Sequence, residues 1–402
     1  MWRVRQGRRT GRGTIGGAFL ALAVLGAFLL GYIAYSHSQA YQIGVARGHG
    51  PRQERLAAMT ALFRRRDPEN LVPLFVALLD DKDSAIGSKA AEYLGAMGAE
   101  AAVEPLIAAL RKRGPADRTA FIEALGAIGD RRAVAPLAAL LDGAGESEAR
   151  SVGRALAKLG PEAVPVLVKR LSDPKPAVRA AAAAGLGWFA LGPDGATRKD
   201  ALGAAIAPLI PLLYDPVAEV RSSAADAMGN IHDPRFLASL MLALGDPDDA
   251  VREVMARVIS SYGGAAMALL PSAFQSADVR IRLGAAAALA DIAEAGARDP
   301  SRAAGSAVNA ARGMLDEALR RNDLVAGAGA FGYYIRQGRP EAVPFLIAAL
   351  QAGGHRRMAD ALLNCGLPAL HDAAAAWAGA HGLPVETQSD PGEYRWGIAN
   401  GE

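Results

Sequence analysis

A single cysteine, Cys365, occurs in 402 residues, so neither an intrachain disulfide nor a thiolate cluster can form. Aromatic residues make up only 6 %, and an all-β or α/β fold would draw on more Val, Ile, Thr and aromatic side chains. Lysine occurs seven times and never after Lys199, so arginine does most of the basic work. There is no Asn-x-Ser/Thr site. GxGxxG after a strand, GxxxxGK[ST], G-x-S-x-G and HExxH are also missing, which removes the common nucleotide, hydrolase and metalloprotease signatures. No acid precedes Glu54. The net charge of +3 is therefore misleading as a mark of basicity. Arg3, Arg5, Arg8, Arg9 and Arg12 exceed the whole surplus, and the rest of the chain is close to neutral. A groove for phosphates needs Lys and Arg clustered on a folded domain, so the charge count gives no support for a nucleic-acid partner.

Small helix-forming residues dominate instead. Alanine occurs 89 times, and leucine is abundant, a composition that favours close-packed helices. Between Arg12 and Arg47 there is no charged residue. Inside that window Ile15–Tyr35 is apolar almost throughout and long enough to span a bilayer as a helix. Tyr32 and Tyr35 suit the headgroup level, and the five arginines favour a cytoplasmic N-terminus. This places a basic tail at 1–14, a transmembrane helix at 15–35 and a linker at 36–50. The repeat body then lies on the periplasmic side of the inner membrane. Arg47, Arg52 and Arg55 weaken the charge asymmetry. A cleaved signal peptide ending near Ser38-Gln39-Ala40 would leave a secreted soluble binding protein instead.

From about residue 68 the chain resembles itself. LVPLFVALLD (71–80), AVEPLIAALR (102–111), AVAPLAALLD (133–142), AVPVLVKRLS (163–172), AIAPLIPLLY (205–214) and AVPFLIAALQ (342–351) repeat one phrase. Pro73, Pro105, Pro136, Pro165, Pro208, Ser239 and Pro271 mark steps of 32, 31, 29, 43, 31 and 32 residues. A period near 31 is the signature of a helical solenoid. Insertions fall near 190–204 and 295–307. A second phrase, ALGAIG and its variants, supplies a small-residue helix face and a C-terminal glycine. DPKPAVR (173–179), DPVAEVR (215–221) and DPDDAVR (246–252) form the turn between the two. Asp suits the cap and Pro stops the preceding helix.

The order P-L-x-x-A-L, D-P-x-x-x-V-R, A-L-G-x-I-G resembles the HEAT family, in particular its short-period phycobilisome-lyase-type branch. The resemblance implies an all-α, right-handed α-solenoid of about nine helical hairpins over 51–382, followed by a polar tail at 383–402. Residues 51–66 would cap its first repeat and Leu367–His381 its last. The long surface of a solenoid suits a protein-binding scaffold or assembly factor that uses the concave face, and the sequence shows no cofactor motif and no evident small-molecule substrate site. Two enzymatic alternatives exist among HEAT-like proteins, a di-iron hydroxylase and bilin lyases. The hydroxylase uses His-Glu pairs, which this sequence lacks; His232-Asp233 and His371-Asp372 are the nearest substitutes. Cys365, His371 and His381, with His355 upstream, are spaced too loosely for a zinc motif.

Two features bear on binding. Arg179, Arg221, Arg252, Arg280 and Arg282 begin consecutive second helices. They form either a track for an acidic partner or a turn ladder with Asp173, Asp215, Asp246 and Asp278, each arginine reaching its own aspartate or the neighbouring turn. FGYYIRQ (331–337) brings Tyr333 and Tyr334, which either anchor an interface or fill the gap of an irregular repeat.

Overall fold

The computed structural model of the chain describes residues 38–65, 68–193, 195–298, 305–383, 385–387 and 394–396. The expected membrane span Ile15–Tyr35 lies outside these residues. Among the described residues no helix is long and apolar enough to cross a membrane. The chain divides into two compact units, 1–136 and 137–402.

The first unit is built of α1 (Gln39–Arg47), α2 (Arg52–Phe63), α3 (Pro68–Leu78), α4 (Ser84–Ala96), α5 (Val103–Arg111) and α6 (Thr119–Ile128). The segment expected as a linker thus contains a helix. Ser38 caps it by accepting the Tyr41 amide, and α1 packs on α2. Within each repeat of this unit a first helix packs on a second helix, and successive second helices pack side by side, as α4 does on α6. Leu74, Phe75, Leu94, Phe121 and Leu125 form the buried seam.

The boundary between the units falls in α7 (Val134–Leu140). The second unit continues with α8 (Glu146–Lys158), α9 (Val164–Arg170), α10 (Pro176–Ala190), α11 (Gly195–Leu202), α12 (Ile206–Leu209) and α13 (Ala218–Ile231). Next come α14 (Leu237–Ala243), α15 (Asp249–Ser261), α16 (Gly264–Met267), α17 (Leu270–Phe274) and α18 (Val279–Arg298). After them lie α19 (Ser306–Arg320), α20 (Leu324–Gly329), α21 (Phe331–Gln337), α22 (Ala342–Gly353), α23 (Arg356–Leu363) and α24 (Pro368–Ala380). Helix α11 occupies the first insertion. The second helices α8, α10, α13, α15, α18 and α20 each pack on the next, which makes this unit a stack of hairpins. Its seam is fully buried at Leu167, Leu186, Phe189, Leu209, Met228, Phe236, Leu240, Met255 and Ile259.

Local chemistry explains these limits. First helices are entered through a 3-10 turn, as at Pro161–Ala163 and Pro234–Phe236, where proline's fixed φ suits the first turn. Second helices end in a left-handed residue such as Gly129, at φ 78°. His232 takes that position in α13 with φ 54°, and its ring stacks on Tyr262 at 4.3 Å. The polar tail departs from the all-α plan. Val385–Thr387 (β1) pairs antiparallel with Tyr394–Trp396 (β2), segments carrying β-branched and aromatic residues.

Close approach of second helices explains their small residues. A Cβ on Gly187 of α10 would stand 2.9 Å from the Ala227 Cα of α13. Gly187→Val is therefore expected to lower stability by roughly 1–3 kcal/mol in urea denaturation, through overpacking. Gly313 of α19 has open space around it, so Gly313→Ala is expected to raise stability by about 0.4–1 kcal/mol.

Candidate partner-binding face

The turns between first and second helices carry a repeated ion pair. Arg179 Nε and Nη2 grip both carboxylate oxygens of Asp215 at 2.7 and 2.9 Å. Its Nη1 donates to the Asp173 carbonyl at 2.8 Å. Arg221 repeats the arrangement one step on, with 2.6 and 2.9 Å to Asp246 and 2.8 Å to the Asp215 carbonyl. Each arginine thus holds the backbone of its own turn and the carboxylate of the next. Each aspartate also accepts an amide two residues on: Lys175 for Asp173, Val217 for Asp215 and Asp248 for Asp246. Among the described residues Asp173 receives no second-helix arginine, and it pairs with Arg170 at 3.0 Å. Position 149, where the preceding arginine would stand, is alanine. In the first unit Arg55 forks onto Asp81 through Nη1 and Nη2 and donates through Nε to the Ala46 carbonyl, a related ion pair that the D-P-x-x-x-V-R pattern did not reveal.

These rungs are sheltered from water. Arg221 and Asp246 are 9 % and 6 % exposed. The Arg221 guanidinium is shifted up by its bonds to Asp246, against the opposing effect of burial. Burial pushes the Asp215 carboxyl up, but Arg179, the Val217 amide and Arg221 outweigh it and hold it below the ordinary carboxylate value.

Beyond Arg221 the pattern changes. Arg252 is 9 % exposed, donates through Nη1 to the Asp246 carbonyl, and pairs through Nη2 with Asp249 of its own helix. Burial and the Arg280 charge push its pKa down despite the pull of Asp246. Arg280 is exposed, and its amide is bound by Asp278. Arg282 crosses to Asp323 at 3.0 Å.

Tyr333 and Tyr334 do not form an exposed anchor. They are 4 % and 2 % exposed, with Tyr334 Oη donating to the Leu315 carbonyl at 2.8 Å and its ring edge-on to Phe345. They fill the gap of an irregular repeat in which the second helix is split at Ala330 into α20 and α21. The C-terminal histidines and cysteine serve local backbone. Cys365 Sγ reaches the Leu362 carbonyl, His371 contacts the Leu363 carbonyl, and His381 stacks on Trp377. Among the described residues no group of three His, Cys, Asp or Glu is arranged to hold a metal ion.

Pockets open on the second helices of the second unit, two of them over the helix faces rather than at the turns. The larger, about 370 Å³, has a floor of Ala177, Ala180, Ala181, Ala184 and Ala227 from α10 and α13. Trp188 lines it, with the Arg154 guanidinium over its ring at 5.0 Å. Arg150, bound at 2.9 Å to both Glu146 and Glu219, forms one wall, and Arg257 paired with Asp226 forms another. The smaller pocket, about 150 Å³, shares α15 with the first and is lined by Arg252, Glu253, Gly284, Phe331, Tyr333 and His355 among others. Sequence reasoning did not single out this pocket because its floor is alanine, which reads as ordinary helix. The one sequence signal was Trp188, which ends the alanine run of α10 together with Phe189.

Residues 44–120 and 147–202 match the family profile of HEAT repeats. Residues 117–143 match the PBS lyase HEAT-like repeat. No curated protein matches the chain. Among solved structures, Kap95p in complex with RanGDP aligns with a TM-score of 0.52 at 14 % identity, covering 86 % of this chain and 52 % of that one. That likeness is one of fold. A chain from the complex of CpcE and CpcF of phycocyanin lyase from Nostoc sp. PCC7120 aligns at 24 % identity and TM-score 0.34, covering 61 % of this chain and 94 % of that one. An engineered protein aligns at 20 % identity and TM-score 0.37, over 84 % and 97 % of the two chains.

His355 adds a titratable joint to the second unit. Its Nδ1 accepts the Met358 amide at the start of α23, a ring N–H binds the Ala328 carbonyl, and the ring meets Phe331 edge-on. Burial lowers its pKa from 6.5, more than the Ala328 bond raises it, and Arg252 lowers it further. The unfolded chain then binds the proton more readily than the folded one. Stability is full above the unfolded value near 6.5 and is lost as pH falls through it. The thermal midpoint should drop between about pH 7.5 and 5.5, and His355→Asn, which keeps a capping side chain, should flatten that slope.

Proposed function

We propose that this chain is a non-catalytic scaffold, tethered to a membrane through Ile15–Tyr35, that holds a protein partner on the second-helix face of residues 137–402. The observation that carries this reading is the pocket over the alanines of α10 and α13. Small side chains there let a partner segment approach the helix backbones, and Trp188 offers an aromatic contact of the type that dominates interface energies. The paired charges at its walls supply a polar rim. HEAT repeats across much of 44–202 agree with a binding role, since stacked hairpins present a long surface. The tether rests on the apolar character and length of Ile15–Tyr35, and the five arginines before it put the repeats on the periplasmic side.

A photo-crosslinking side chain at Ala184 of the full chain, in its own membranes, should give a discrete protein adduct. The same group at the exposed Lys169 of α9 should not. Trp188→Ala should weaken the Ala184 adduct severalfold, as loss of a central aromatic anchor does. Equal adducts from both positions, unmoved by Trp188→Ala, would reject the face.

A further inference from the structure

The ladder loses one carboxylate, and a single position explains it. In DPDDAVR (246–252) and SADVRIR (276–282) the turns align residue for residue, with Ser276 in the place of Asp246 and Arg282 in the place of Arg252. Ser276 keeps half of the aspartate's work. Its Oγ accepts the Asp278 amide at 3.1 Å, as the Asp246 carboxylate accepts the Asp248 amide at 2.8 Å. Asp278 then binds the Arg280 amide as Asp248 binds that of Ala250. The turn is therefore preserved, but the carboxylate that would receive Arg252 is gone.

Arg179 and Arg221 each spend Nε and Nη2 on a carboxylate of the following turn. Arg252 keeps its own-turn bond through Nη1 and turns Nη2 to Asp249, a half-exposed residue of the same helix. Its Nε makes no hydrogen bond among the described residues, nor does it belong to the buried polar atoms left without a partner. The side chain lines the smaller pocket on the second-helix face, and the Arg280 charge lies close enough to oppose its own. A guanidinium buried in this way gains from a planar, bidentate anion. An i,i+3 pairing with a half-exposed aspartate is a weak competitor.

We infer that Arg252 receives an aspartate or glutamate side chain of the protein partner, which completes the rung that Ser276 leaves without a carboxylate. The inference rests on the reading of the second-helix face as a docking surface and names the chemistry of one anchor on it. The array supplies this carboxylate internally at Asp215 and Asp246, so a partner's acid meets a geometry the fold already uses.

The test is Ser276→Asp in the full chain, which restores the carboxylate from within. Fluorescein-labelled hexaglutamate with an amidated C-terminus is the probe, read by anisotropy. The wild-type chain should bind it, and Ser276→Asp should weaken binding about tenfold, the worth of one charged hydrogen-bonded contact. The same variant should raise the urea midpoint, a sign opposite to that of a damaged fold. Ser276→Asn, which keeps the turn without the charge, should leave binding unchanged. Equal affinity in wild type and Ser276→Asp, or an unraised urea midpoint, would overturn the inference. So would preference for hexaglutamine with a free C-terminus, which would assign the site to a terminal carboxylate. If the Ala184 adduct persists while the peptide arm fails, the anchor is wrong and the docking face stands. If the adduct also fails, the face itself is wrong.

Discussion

A guanidinium buried between two successive turns is the constraint that ties the three central hairpins of the second unit together. Arg179 and Arg221 each bind the carbonyl of one turn and the carboxylate of the next, so one side chain fixes the spacing of two hairpins. Burying an ion pair costs desolvation that the mutual attraction only partly offsets, and such pairs are weak sources of net stability. Their strength is in discrimination. A hairpin that slid by one residue would leave a buried charge without its partner, whereas the Leu, Ile and Ala seam between helices would tolerate the slip more readily. The apolar seam supplies the driving force, and the rungs choose the register.

The same economy of side chains shapes the binding face. Second helices approach each other over glycine and alanine, as Gly187 does against Ala227, and this leaves a shallow alanine floor where α10 and α13 meet. Charges that line the floor are paired with one another across helices, Arg150 with Glu219 and Arg257 with Asp226. A near-neutral body with its arginines internally matched explains why the net charge of the chain says little about its partners. The exception at Arg252 follows from one residue, Ser276, and would be invisible in any charge count.

Much of the hairpin plan is legible in the sequence, because proline, glycine and D-P-x-x-x-V-R mark the ends of helices by local backbone chemistry. The partner of each arginine is not legible. Asp215 stands six residues before Arg221 and is also the acid of the turn after Arg179, and spacing alone treats the two pairings alike. Asp278 hides the missing carboxylate at Ser276, since an aspartate two residues later appears to fill the role while it serves only as a helix cap. Tyr333 and Tyr334 look like exposed anchors because aromatics are rare in this chain, yet the break at Ala330 turns them inward. Helix α1 escaped notice because Ser38, its cap, reads equally as part of a cleavage site. Alanine-floored pockets depend on which helices meet, and that is settled by packing across repeats rather than by any local phrase.

The register claim is tested most directly by a double-mutant cycle on Arg221 and Asp246, followed by urea denaturation of the full chain. Asp246→Leu or Arg221→Met alone should cost about 3–5 kcal/mol, because each leaves a buried charge unmatched. The double variant should cost far less than the sum of the two. Single costs below about 1 kcal/mol that simply add would contradict the account, since they would mean that the rung neither holds the turns nor chooses their spacing.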